Sequence, residues 1–137
     1  MPSRCRPHLR PRWLLLSLAL LLLAGCAKQS AYTLADESIL PAFLDGAPAT
    51  VREAYRFAAA NPDELAKYPC YCGCGAMGHT SNLSCYVSDA GCGICVDITK
   101  DVMRLLDEGK PSPEIRAYID ATYSAFGPST DTPFPSE

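Results

Sequence analysis

The chain is poor in the side chains that carry out acid–base catalysis. After His8 it has a single histidine, His79, and it has no G-x-S-x-G, no H-E-x-x-H and no phosphate-binding glycine loop. Hydrolase, zinc-protease and nucleotide-binding chemistries are therefore unsupported. Basic side chains are also scarce past the N-terminus. Four arginines (Arg4, Arg6, Arg10, Arg12) crowd the first twelve residues, and beyond them 8 lysines and arginines face 15 acids. A surface of that sign does not attract nucleic acid, which needs a basic face. The longest apolar run, Trp13 to Leu23, is broken by Ser17 and is too short to stay as a membrane-spanning helix. No internal repeat is visible.

What is present begins with the pattern of export. A basic, proline-rich start followed by that apolar run reads as a signal segment. It closes on Leu23-Ala24-Gly25-Cys26, which resembles the lipobox of bacterial lipoproteins in all four positions. The resemblance implies cleavage after Gly25 and a lipid-bearing Cys26. Several acyl chains there, palmitate among them, would anchor the protein stably where one would not. The expected location is extracytoplasmic, on the bacterial cell membrane. The expected organisation is a signal over residues 1–25, a tether over 26–48, one cysteine-rich helical domain over 49–127 and a disordered tail over 128–137. Cys5 would leave with the signal.

Local patterns divide the domain into helices and one irregular stretch. Thr50-Val51-Arg52-Glu53 has the form of a capping box. A helix from Val51 to Ala60 follows, with Val51, Ala54, Tyr55 and Ala58 on its inner face. Asn61-Pro62 ends it and caps a short second helix through Asp63-Glu64-Leu65-Ala66. From Gly93 a helical period places Ile94, Ile98, Val102, Leu105 and Leu106 on one face, and Gly109 supplies a left-handed stop. Ser112 is the expected N-cap of a last helix, with Pro113 at its first position and Ile115, Tyr118, Ile119, Thr122 and Tyr123 facing inward. The fold expected is mainly α: a helical hairpin plus a preceding helix, with a cysteine-rich loop and little or no β. Leu83 to Val87 is expected as a short extended piece, and Ile39, Phe43 and Leu44 of the tether as local docking residues.

The chemistry sits between residues 69 and 95. Six cysteines there follow the spacing C-x-C-x-C (Cys70, Cys72, Cys74), ten residues, Cys85, six residues, and C-x-x-C (Cys92, Cys95), with His79 inside. In an extended segment, side chains two apart share a face, so Cys70, Cys72 and Cys74 would present a row of sulfurs. Neighbouring α-carbons in such a row lie roughly 6.5–7 Å apart, at or beyond disulfide reach. This favours a metal, or pairing to the distant cysteines. Cys92 and Cys95 at a helix start could grip an ion, or could act as a redox pair in which the helix dipole lowers the pKa of Cys95. His79 could add a nitrogen ligand. Tyr71, next to the row, reads as a packing residue.

Pro69 to Cys74 spells the signature of the PCYCGC-motif bacterial lipoproteins, a family without an established activity. The likeness continues through Gly78-His79, Ser81-Asn82-Leu83, Cys85, Cys92-Gly93-Ile94-Cys95 and the last hairpin. Separately, Gly109-Lys110, Ser112, Glu114-Ile115-Arg116, Tyr118, Tyr123 and Phe126 resemble the helical hairpin of the thiol reductase subunit of cytochrome c maturation, which also carries one C-x-x-C. That likeness implies a three-helix scaffold.

Three functions are compatible with these residues. The first is binding of a soft ion, Cu(I) or Zn(II), by Cys70, Cys72, Cys74, His79, Cys85, Cys92 and Cys95 for sequestration or delivery, since thiolate-rich sites prefer such ions to Mg or Ca. An exported metalloprotein or thiol protein would be the partner. The second is thiol–disulfide exchange through Cys92 and Cys95. The third is a disulfide-stapled interaction module, for which six cysteines allow fifteen connectivities.

Overall fold

Apolar side chains recurring at three- and four-residue intervals wind the second half of the domain into two of its three long helices. The computed structural model describes residues 30–87 and 92–136, so the expected signal, Cys5 and Cys26 lie outside the described residues. The helices are α1 (Ala49–Ala60), α2 (Pro62–Leu65), α3 (Ser84–Val87), α4 (Gly93–Asp107) and α5 (Ser112–Tyr123). Single 3-10 turns form at Glu37–Ile39, Ala42–Leu44 and Cys74–Met77. Among the described residues there is no strand, and no helix is long and apolar enough to cross a membrane. The expected mainly α fold is observed. Leu83 to Val87 is not extended, however, because α3 takes up most of it.

α4 lies between α1 and α5. Ile98, Val102 and Leu105 of α4 meet Ile115, Ile119 and Tyr123 of α5 in one core, closed from the other side by Phe57, Ala58, Leu65, Tyr68 and Tyr71. Burying side chains of this size contributes about 1.5–3 kcal/mol each, which is the main force holding the three long helices together. Gly109, at φ 76°, ends α4 as expected: its N–H bonds the Leu106 carbonyl at 2.8 Å, and the next N–H, of Lys110, bonds the Leu105 carbonyl at 3.0 Å.

The helix starts differ from expectation. α1 begins two residues early, with Pro48 as N-cap. Its carbonyl takes the first helical bonds, from Val51 and Arg52, so Thr50 is inside the helix and no capping box forms. Likewise Pro111, not Ser112, is the N-cap of α5. The Ser112 hydroxyl turns instead to Glu64 Oε1 at 3.4 Å. The inner face of α5 also differs. Ile115, Ile119 and Tyr123 are buried, but Tyr118 and Thr122 are exposed and Arg116 lies inward. Arg116 is held there by Asp120 and by the carbonyls of Thr132 and Pro133, which satisfy its guanidinium away from water.

Those last two carbonyls belong to the segment expected to be disordered. Residues 128–136 fold back along the domain, with Thr130 and Thr132 buried. Residues 30–48 likewise do more than tether. The Tyr32 ring meets Phe57 edge-on at 5.1 Å, and Ala35 exchanges hydrogen bonds with Arg56 through its own N–H and carbonyl. Glu37 pairs with Arg52 and Arg56. Of the expected docking residues Leu44 is buried, whereas Ile39 and Phe43 are largely exposed, the Phe43 ring meeting that of Tyr55 edge-on.

Candidate metal centre

Three elements deliver the sulfurs to one point. Leu65 and Tyr68 anchor the end of α2 in the core, so the chain enters the Pro69–Cys74 stretch from a fixed position. Cys70 then becomes fully buried, and its backbone needs partners. Thr130 supplies both: its hydroxyl accepts from the Cys70 N–H at 2.9 Å and its N–H donates to the Cys70 carbonyl at 3.0 Å. An unpaired buried backbone group would cost as much as a lost hydrogen bond, which explains why the C-terminal segment is ordered. Gly127 lets that segment pass, since a β-carbon there would stand 2.9 Å from the Tyr71 carbonyl oxygen.

The loop then reverses. Gly73, at φ 84°, adopts a left-handed conformation that side chains resist, and it starts the Cys74–Met77 turn; Gly78, at φ 91°, ends it. The sulfur row is therefore curled rather than extended, and its Sγ atoms come much closer than an extended segment permits. Asn82 carries the chain back: its N–H donates to the Tyr68 carbonyl at 2.8 Å, and its side-chain amide donates to the Cys95 carbonyl at 3.2 Å and to Thr99 Oγ1 at 2.8 Å. Tyr86 Oη also reaches the Cys95 carbonyl at 3.2 Å. These bonds join α3, which bears Cys85, to the first turn of α4, which bears Cys95.

The result is a continuous network of six sulfurs. Cys70 Sγ lies 2.9 Å from Cys72, 3.1 Å from Cys95 and 3.5 Å from Cys85. Cys74 is 2.7 Å from Cys72, Cys85 is 3.0 Å from Cys95, and Cys92 is 3.4 Å from Cys95. Cys95 is also 3.7 Å from Cys72. All six are free thiols. Their separations exceed a disulfide bond of about 2.05 Å. The neighbouring pairs named fall at or below about 3.8 Å, the edge of a tetrahedron with zinc–sulfur bonds of 2.3 Å. Two groups of sulfurs are close enough to hold an ion: Cys70, Cys72, Cys74 and Cys85, and Cys72, Cys92 and Cys95. Within each group the sulfurs lie within 4.8 Å of one another, and Cys72 is common to both.

His79 is buried beside the first group, with Nδ1 3.3 Å from Cys85 Sγ, but it belongs to neither group. Tyr71 packs in the core and donates to Asp120 at 2.6 Å, as a packing residue should. Sequence reasoning missed Tyr86, Thr99, Thr130 and Thr132 and gave Asn82 no role beyond its place in the family likeness; all five shape the site without offering a soft ligand. None of them stands out by spacing. The buried amide and hydroxyls become meaningful only once the loop path is known.

Electrostatics separates the sulfurs. Thiols of Cys85 and Cys95 donate to Cys70 Sγ and hold its pKa well below the ordinary thiol range, against the effect of its burial. The donors move the opposite way. Cys95 is pushed up by its hydrogen bonds to Cys70 and Cys85 and by burial, and Cys85 by its bond to Cys70. Cys72 is raised by burial and then by its bonds to Cys70 and Cys74. The expected lowering of Cys95 by the α4 dipole is thus reversed. A helix terminus contributes about 0.3–1 kcal/mol, less than loss of solvent and of a shared proton would cost. The exposed thiol of the C-x-x-C pair is Cys92, at the N-cap of α4; Cys95 is 0% exposed.

No curated protein and no solved structure matches the chain. The family described as proteins of unknown function with the PCYCGC motif matches residues 24–135, from before the expected lipidation site to the end of the segment that clamps Cys70. A match of that extent covers the helical scaffold and the sulfur network together, not the hexapeptide alone, and the chain belongs to this family.

Proposed function

We propose that the protein is an exported lipoprotein, anchored to the bacterial membrane through lipid on Cys26, that binds a soft metal ion, Cu(I) or Zn(II), for sequestration or delivery. The observation that carries the metal reading is the donor chemistry: both ion-sized groups consist of cysteine sulfurs alone. Thiolates without carboxylate or water select soft ions. Anchoring is supported by the lipobox-like Leu23-Ala24-Gly25-Cys26 and by the apolar run before it.

The test is titration of the reduced full chain with Cu(I) and with Zn(II) against a competing chelator, beside Cys70→Ser, Cys72→Ser and Cys74→Ser. A serine hydroxyl is a hard, protonated donor, so each variant should bind the soft ion at least tenfold more weakly. Failure of the reduced parent to outcompete a weak chelator would remove the metal reading. Cys26→Ser should leave unprocessed precursor; normal processing with unchanged membrane partitioning in the parent would remove the lipoprotein reading.

A second reading, thiol–disulfide exchange, is favoured by the exposure of Cys92 beside buried Cys95. It requires that Cys92→Ser abolish exchange with a model disulfide while the row variants retain it.

A further inference from the structure

The six sulfurs are too many for one ion and too closely joined for two independent ones. A tetrahedral site takes four ligands. Cys70, Cys72, Cys74 and Cys85 would fill it, leaving Cys92 and Cys95 without an ion. The second group cannot be separated from the first, because it takes Cys72 as its third sulfur. Cys95 also lies 3.1 Å from Cys70 and 3.0 Å from Cys85, inside the first group's own spacing.

The geometry points to a thiolate-bridged cluster of more than one Cu(I) ion, in which Cys72 is a bridging sulfur. This inference rests on the soft-metal reading above. One observation favours Cu(I) over Zn(II) as the cargo of the whole network. The second group offers three sulfurs, which complete a trigonal Cu(I) site but leave zinc short of its fourth ligand. The polar neighbours of the sulfurs include one another, the N–H groups of Cys72 and Cys74, and His79. With Cys70, Cys85 and Cys95 buried, the charge of six thiolates must be offset by the ions themselves. Bridging sulfurs let several monovalent ions share six ligands, which lowers that charge with each ion added. Loading is an exchange without electron transfer: each thiol that binds Cu(I) releases its proton to solvent, and copper and sulfur keep their oxidation states.

The experiment is anaerobic loading of the reduced full chain with Cu(I), followed by native mass spectrometry and copper X-ray absorption. The expected result is more than one copper per chain, filled together without a dominant singly loaded species, and a copper–copper scattering path. Cys92→Ser, at an exposed position outside the four-sulfur group, should lower the copper content by at least one ion while circular dichroism shows the helices intact. Cys72→Ser should abolish the copper–copper path; if that variant does not fold, the Cys92→Ser loss decides alone. One copper per chain with no metal–metal path would overturn the cluster and leave the soft-metal reading standing. Several coppers without such a path would overturn the bridge. No tight copper binding by the reduced parent would overturn the cluster, and no tight binding of Cu(I) or Zn(II) would overturn the soft-metal reading with it.

Discussion

Cys95 and Ile98 are one turn apart on α4, and both are fully buried, yet their surroundings have little in common. Ile98 is enclosed by apolar side chains from α1, α4 and α5. Cys95 is enclosed by other sulfurs, while its carbonyl accepts from Asn82, Tyr86 and Thr99. One end of the helix is held by non-directional burial, which tolerates small displacements. The other is held by directional bonds that fix each donor. A cluster of ligands needs that second kind of support, because an ion reads sulfur positions and not merely sulfur content. The helical half therefore supplies stability, and the cysteine half uses it to hold an arrangement that its own packing would not enforce.

The largest effect should come from the apolar half. Ile98→Ala removes a fully buried side chain from the centre of the three-helix core and should cost about 2–5 kcal/mol in urea unfolding of the reduced chain. A loss under about 0.5 kcal/mol, the range of surface changes, would mean that the core is not where stability resides.

A smaller effect is expected where the cysteine half depends on the C-terminal segment. Thr130→Val keeps the shape of the side chain but removes the oxygen that accepts from the Cys70 N–H. A buried donor left without a partner costs about 1–3 kcal/mol. Hydrogen exchange should localise the change, with faster exchange at Cys70 and little at Ile98. Equal acceleration at both amides would show that the two halves open as one unit, and the contrast drawn from α4 would fail.

These two positions also show what could be read from the sequence. Ile98, Val102 and Leu105 announce a buried face because helix geometry repeats every 3.6 residues and burial imposes the same period on the apolar side chains. The same regularity made Ile115, Ile119 and Tyr123 legible. The cysteines were legible as a chemical group, although their spacing left metal binding, thiol exchange and disulfide pairing all open. Their arrangement was not, because a curled loop has no period: the Gly73 reversal turned a row into a knot of sulfurs, and the partner of Cys70 lies 60 residues away. Thr130 carries no mark of that pairing among the prolines and small polar residues around it. A composition that reads as disorder can be ordered when a buried backbone elsewhere needs its hydrogen bonds.

The smallest effect concerns the position where periodicity misled. Tyr118 falls on the apolar stripe that also selects Ile115 and Thr122, and that reading predicts an inward ring. The structure instead gives the inward place to Arg116, whose guanidinium reaches Asp120 and the carbonyls of Thr132 and Pro133, while Tyr118 is 38% exposed. Its ring lies against the Arg104 guanidinium, 5.2 Å from the ring centre, an interaction worth about 0.5–1 kcal/mol at an exposed site. Tyr118→Ala should therefore cost no more than about 1 kcal/mol, whereas Ile119→Ala, one residue on and fully buried, should cost about 2–5 kcal/mol. Comparable losses in the two variants would restore Tyr118 to the core. They would also place Arg116 in solvent, and with it would go one of the contacts that bring the C-terminal segment back to the sulfur cluster.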